Sequence, residues 1–197
     1  KNFDVSYDSA KRDLRILEEK GLLKRTHGGA LPIRQIAAGR PETMTFKDIP
    51  QVKPNYLQIA KEAVSLIQEN DVIYIPSTTL GLFMVKNLPE HLKIKVVTNS
   101  ILIADELRTL TNVSVIILGG EMDNKGNCCD TIAVETVKRL RLDKCFITSA
   151  CISASFGLSI QSTPYISFFN ALIDSSKLTI GLYPKEKIGF DSIVSSC

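Results

Sequence analysis

Between residues 56 and 197 the sequence keeps switching between two periods, and that alternation leaves few folds open. Tyr56–Glu69 repeats apolar residues at steps of three and four, with Leu57, Ala60, Val64 and Ile67 on one face, which predicts a helix. Asp71–Ile75 reads as a strand, and Thr79–Leu88 as a helix that Pro89 stops. Lys93–Val97 is a strand followed by a helix through Leu107. Val113–Leu118 is a strand ending in Gly119-Gly120, Thr131–Leu140 a helix, and Lys144–Ile147 a strand. Tyr165–Ser176 reads as a helix and Leu178–Leu182 as a last strand. Strands and helices that take turns fold as an α/β unit, with a mostly parallel sheet flanked by helices.

In such a sheet, ligands bind beyond the carboxyl ends of the strands. The segments there are Pro76-Ser77-Thr78-Thr79, Thr98-Asn99-Ser100, Gly119-Gly120-Glu121 and Thr148-Ser149-Ala150. Small residues and hydroxyls at helix starts suit a polar, anionic ligand held by backbone amides. Ser77, Thr78, Thr79, Thr98, Asn99, Ser100, Gly119, Gly120, Glu121 and Thr148 are therefore candidate binding residues. The same hydroxyls are also good helix caps, and the glycines also suit a strand-ending turn with positive φ.

Composition removes several other classes. The chain has 197 residues, 44% hydrophobic and 23% charged, which is ordinary globular usage. No apolar run is long enough for a membrane-spanning helix, and KNFDVSYDS lacks the layout of a signal peptide. The net charge of +3 permits a nucleic-acid partner without demanding one. Cys128, Cys129, Cys145, Cys151 and Cys197 form no C-x-x-C pair, and His27 and His91 are far from them in sequence. No metal site and no cofactor are expected, and the cysteines read as reduced thiols of a cytoplasmic protein.

Residues 1–32 form a distinct, basic-leaning region, and residues 33–55 read as a connector with three prolines. Ser6 is placed to cap a helix, with Asp8 suiting its dipole and Val5 and Ala10 stapling its entry. Ala10, Leu14 and Leu17 would face inward and Lys11, Arg12 and Arg15 outward, until Gly21 ends the helix. Leu22–Thr26 and Ala30-Leu31 read as two strands joined by a tight turn at His27-Gly28-Gly29. A basic-faced helix followed by a β-ribbon suits the second half of a winged helix-turn-helix. The helix would lie in the major groove, and Lys24, Arg25 and His27 of the wing would add backbone contacts. A solvated amphipathic helix with a hairpin is the other reading of the same residues.

The segment VSYDSAKRDLRILEEKGLLKRTHGGAL (5–31) resembles the recognition helix and wing of the DeoR family of repressors. Ser6, Arg12, Asp13, Leu14, Leu17, Glu18, Gly21, Arg25, His27, Gly28, Gly29 and Ala30 match that family's pattern. Ser9 stands for its Thr and Lys11 for its first Arg. The resemblance continues through IAKEAVSLIQENDVIYI, VVTNS, ILGGEM, RLRLDKCFI and GLS in the sensor domain. It implies a ribose-5-phosphate isomerase-like sensor over 56–197, preceded by a truncated winged helix-turn-helix whose first two helices are expected before Lys1. It also implies a DNA-binding surface of Ser6, Tyr7, Ser9, Lys11, Arg12, Arg15, Lys24, Arg25 and His27.

Implied partners are operator DNA, a phosphorylated sugar effector, and further copies of the chain as a dimer or tetramer. Without the preceding helices, a helix of this length is expected to be marginal. The sensor also departs from the family. Pro76 stands where an Asp is usual, Thr148-Ser149-Ala150-Cys151 replaces a Gly-Ala loop, and the Glu-x-x-x-Lys of a later helix gives way to Pro164 and Phe168 or Phe169. The family's Ala-Asp-Ser-Ser-Lys becomes Tyr183-Pro184-Lys185-Glu186-Lys187, so Lys187 remains as a candidate phosphate partner. The implied activity is repression without catalysis. The rivals are a sugar-phosphate isomerase-like enzyme using Glu121 as base, and a domain whose site has lapsed and which acts only in oligomerisation.

Overall fold

The computed structural model describes residues 6–20, 22–26, 29–32 and 54–195. The chain divides into two compact units, Lys1–Ile36 and Ala37–Cys197.

In the first unit, α1 (Tyr7–Glu19) starts where Ser6 accepts the Ser9 amide at 3.1 Å. The inward stripe is Ala10, Leu14 and Glu18, each partly buried. Leu17, expected inside, is 36% exposed, and no residue of α1 is buried. Strands β1 (Leu23–Thr26) and β2 (Gly29–Pro32) pair antiparallel, with Thr26 opposite Gly29. The Glu18 carboxylate accepts the Arg25 amide at 2.8 Å and so ties the ribbon to the helix. The Val5 staple, the Gly21 stop and the His27-Gly28 turn lie outside the described residues, as do residues 33–53 of the connector.

The second unit is built on five parallel strands. These are β3 (Val72–Tyr74), β4 (Ile94–Thr98), β5 (Val113–Ile117), β6 (Leu142–Ile147) and β9 (Ser176–Gly181), in the order β5-β4-β3-β6-β9. Alternate side chains leave opposite faces of a strand. Ile73, Ile75, Val96 and Phe146 enter one core with α2 (Pro54–Ser65), α3 (Thr79–Lys86) and α4 (Ile101–Leu107). Tyr74, Val97, Cys145 and Ile147 enter the other with α5 (Thr131–Lys138) and α6 (Pro164–Asp174). The result is the expected sheet between two helical layers.

Several expected boundaries move. Helix α2 begins at Pro54, inside the expected connector, and ends at Ser65 instead of Glu69. Leu57, assigned to its buried face, is 39% exposed, while Ala63 is buried instead. The chain turns through Asn70, at φ 66°, to enter β3. Helices α3 and α5 each stop two residues early, where Asn87 and Arg139 cap them.

A second sheet was not expected at all. Strands β7 (Cys151–Ser153), β8 (Gly157–Ile160) and β10 (Val194–Ser195) pair antiparallel in the order β10-β8-β7. It flanks a short 3-10 turn, Lys185–Lys187, that follows β9.

Candidate functional site

The strand order reverses direction at β3. The chain runs outward from β3 to β4 and β5, then crosses back to β6 and β9 on the other side. The loops leaving β3 and β6 therefore diverge, and the crevice between them is where such sheets bind ligands.

Four of the candidate hydroxyl or amide groups have structural partners there. Thr78 caps α3, accepting the Gly81 amide at 3.3 Å. Ser100, and not Asn99, caps α4, accepting the Ile103 amide at 3.5 Å. Thr98 is fully buried and accepts the Ser100 amide at 3.3 Å. Ser77 and Thr79 lie beside Thr78, partly buried. Sequence reasoning missed Gly81: a Cβ there would lie 1.9 Å from the Pro76 carbonyl oxygen, so only glycine lets α3 start against this loop.

Asn99 is buried for another purpose. Its side-chain oxygen accepts the Tyr74 hydroxyl at 2.7 Å, and its amide donates to Cys129 Sγ at 2.9 Å. Across the same region the Tyr165 hydroxyl donates to Asp123 at 3.1 Å. Burial pushes the Tyr74 phenol well above its ordinary value and the Tyr165 phenol above it too. Burial also pushes the Cys129 thiol up to about 12, against the lowering effect of Asn99. Both phenols and the thiol therefore stay protonated at neutral pH and serve as hydrogen-bonding groups. Only Asn99 of these residues was picked out from the sequence. The others lie 25 to 42 positions from their partners, with no local pattern.

The Gly119-Gly120-Glu121 loop is closed over itself. Asp130 caps α5 by accepting the Ala133 amide at 3.1 Å, and it also accepts the Glu121 amide at 2.8 Å. These backbone bonds hold the Asp130 carboxyl below the usual carboxylate range. Gly120, at φ 135°, lies under that carboxylate. Glu121 itself is exposed. Asp123 accepts the Lys125 and Asn127 amides, each at 2.9 Å.

Lys187, the candidate cation, lies against the loop that leaves β6. Its Nζ donates to the Ser149 carbonyl at 2.9 Å and lies 3.5 Å from Thr148 Oγ1. Ser149 in turn shares its hydroxyl with Tyr183 at 2.8 Å and gives Tyr183 its amide at 3.2 Å. Among the described residues no carboxylate pairs with Lys187. Burial lowers its pKa. Cys151 and the carboxylate of the neighbouring Glu186 act the other way, raising it, so burial outweighs the charges near this ammonium. Asn99 leaves β4 and Thr148 leaves β6, two strands apart, so about 10 Å separates their strand axes.

A cleft of about 430 Å³ opens elsewhere, lined by Asn70, Lys93, Lys95, Asn112 and Ser114 among others. It lies at the amino ends of β3, β4 and β5, away from the switch in strand order. Among the described residues no cluster of His, Cys, Asp and Glu could hold a metal, and no helix is long and apolar enough to cross a membrane.

In the first unit the candidate DNA residues Tyr7, Lys11, Arg12, Arg15, Lys24 and Arg25 are exposed. Lys11 Nζ sits 4.6 Å from the centre of the Tyr7 ring. Ser6 and Ser9 hydrogen-bond each other at 2.9 Å. His27 lies outside the described residues.

Comparisons with known proteins agree with this division. Residues 55–197 match the model of the DeoR C terminal sensor domain, and residues 1–35 that of the DeoR-like helix-turn-helix domain. The lactose phosphotransferase system repressor of Lactococcus lactis subsp. lactis is 33% identical over 154 residues, covering 76% of this chain and 59% of that protein. The glycerol-3-phosphate regulon repressor of Haemophilus influenzae is 27% identical over 191 residues, covering 97% of this chain and 73% of the relative. Among solved structures, ribose 5-phosphate isomerase A of Methanocaldococcus jannaschii superposes with a TM-score of 0.49 at 13% identity, covering 68% of this chain and 53% of that one.

Proposed function

Since this chain belongs to the DeoR family of transcription regulators, we propose that it is a DNA-binding repressor of sugar-metabolism genes. Control would come from a phosphorylated sugar or related metabolite bound at the strand ends of the second unit. The observation that carries the effector half is Lys187, largely desolvated and in no ion pair among the described residues, beside Thr148 and Ser149. A phosphate seated there would pair with the ammonium. The polar groups of Asn99 and Tyr165 would suit the hydroxyls of a sugar that displaces their present partners. The relatives' names, a lactose phosphotransferase system repressor and a glycerol-3-phosphate regulon repressor, support the same class of regulon.

The carboxylates near the strand ends support binding in place of catalysis. Asp130 caps a helix, Asp123 binds its own loop and Tyr165, and Glu121 is exposed. A proton-shuttling base needs a free carboxylate beside the sugar. The DNA half rests on α1 and the β-ribbon, with Lys11, Arg12, Arg15, Lys24 and Arg25 exposed to phosphates and base edges. Symmetric operators call for at least a dimer, acting in the cytoplasm where the DNA is.

An effector must bind one arrangement better than the other to switch it. The intact protein is expected to bind its own upstream DNA at low salt and to change affinity with one of a panel of sugar phosphates. A thermal-shift screen reads the same site, because ligand at 100 times its Kd adds about 2.7 kcal/mol of stability. No DNA binding, with turnover of a sugar phosphate, would overturn the proposal.

A further inference from the structure

We infer that Tyr7 and Lys11 act as one base-reading unit, which selects a thymine next to a guanine at one position of each operator half-site. This rests on the DNA-binding reading above and adds which residues of α1 read sequence and which bases they take.

The first turn of a helix in the major groove is the part that meets base edges. In α1 that turn opens with Tyr7, whose side chain is 74% exposed. Among the described residues no second ring packs on it. What the ring does hold is a cation: Lys11 Nζ lies 4.6 Å from its centre, one helical turn on. An ammonium over a ring face is attracted to it. The contact also removes freedom from a lysine stem that otherwise samples many rotamers.

The chemistry of the two groups names their targets. An apolar surface in the major groove contacts the C5-methyl of thymine, the one methyl displayed there, and a lysine ammonium donates to guanine O6 and N7. Successive base pairs rise by about 3.4 Å. Groups 4.6 Å apart therefore fit neighbouring pairs. Ser6 and Ser9 are occupied with each other and with the helix start, which leaves Tyr7 and Lys11 free to face the groove. A guanidinium at position 11 would meet guanine as a fork, whereas this lysine meets it as a point charge aimed by the ring.

Selection of operators from a randomised DNA pool tests this with the intact protein. The variants are Tyr7→Ala, Tyr7→Phe and Lys11→Met, each checked for an unchanged melting temperature. Tyr7→Ala is expected to erase the thymine preference at one position and weaken the neighbouring guanine preference, with a loss of roughly ten- to a hundredfold on the selected site alone. Tyr7→Phe keeps both preferences, because the ring and not the hydroxyl makes the contact. Lys11→Met erases the guanine preference and leaves the thymine.

If all three variants weaken every sequence equally and flatten the salt dependence, the pair anchors phosphate and the inference falls. It falls equally if wild type selects a sequence and the variants select the same one. If wild type binds no DNA, the repressor reading fails along with it, and the two failures are thereby told apart.

Discussion

Asp130 lies so close over Gly120 that a Cβ on the glycine would stand 2.2 Å from its carboxylate oxygen. The backbone of Gly120, at φ 135°, is itself a conformation that side chains resist. Gly120→Ala is therefore expected to cost at least about 2 kcal/mol of stability in urea unfolding. Asp130→Ala relieves the clash and should recover part of the loss in the double variant, less the cost of the cap.

Lys187 gives a pH signature with a definite sign. Burial lowers its pKa from the ordinary 10.5, so the unfolded chain holds this proton to higher pH than the folded chain does. Stability then rises with pH across the interval between the folded value and 10.5, and below that interval the full cost is present. Lys187→Met should lose this slope and be at least as stable as wild type near neutral pH. It should also lose its thermal shift with any sugar phosphate that stabilises wild type. Melting curves from pH 7 upward, with and without ligand, check both.

Asp71, just before β3, and Lys144, within β6, form an ion pair at 2.5 Å, with side chains only 10% and 13% exposed. Removing one partner leaves a buried charge unpaired, so Asp71→Ala is expected to cost about 3 kcal/mol. The double change Asp71→Leu with Lys144→Met should recover most of it. Denaturant midpoints of the three proteins decide.

Glu18 couples the β-ribbon to α1 through the Arg25 amide. Glu18→Ala is expected to weaken DNA binding severalfold, because the wing loses its fixed angle to the helix, whereas Glu18→Gln keeps an acceptor and most of the affinity. Fluorescence anisotropy on operator DNA, with the melting temperature as control, separates the two.

What the sequence disclosed follows range. Ser6, Thr78 and Ser100 are caps because a hydroxyl bonds an amide three residues on, and such local geometry is visible in a string of letters. The parallel strands were legible from their apolar runs. Strands β7 and β8 were not, since CISASFGLSI mixes small and apolar residues without alternation, and the pairing of β8 with β10 spans more than thirty positions. In the site, Lys187 was found through its family pattern, whereas Cys129, Tyr165 and Tyr183 acquire partners only when distant loops meet. Leu57 was misplaced because a step of three or four marks a helix face broadly, and its edge is set by what packs there.

The segment carrying Lys187 is fastened at both ends: the Leu182 amide bonds the Ile147 carbonyl before it, and the Gly189 amide bonds the Ile152 carbonyl after it. Beyond Gly189 the Ser192 amide holds Ser159, and β10 pairs β8. A molecule that drew the ammonium off the Ser149 carbonyl would thus pull on a seam running to the edge of the small antiparallel sheet. If the proposed effector binds at Lys187, its occupancy would be felt at that rim, away from the bound molecule.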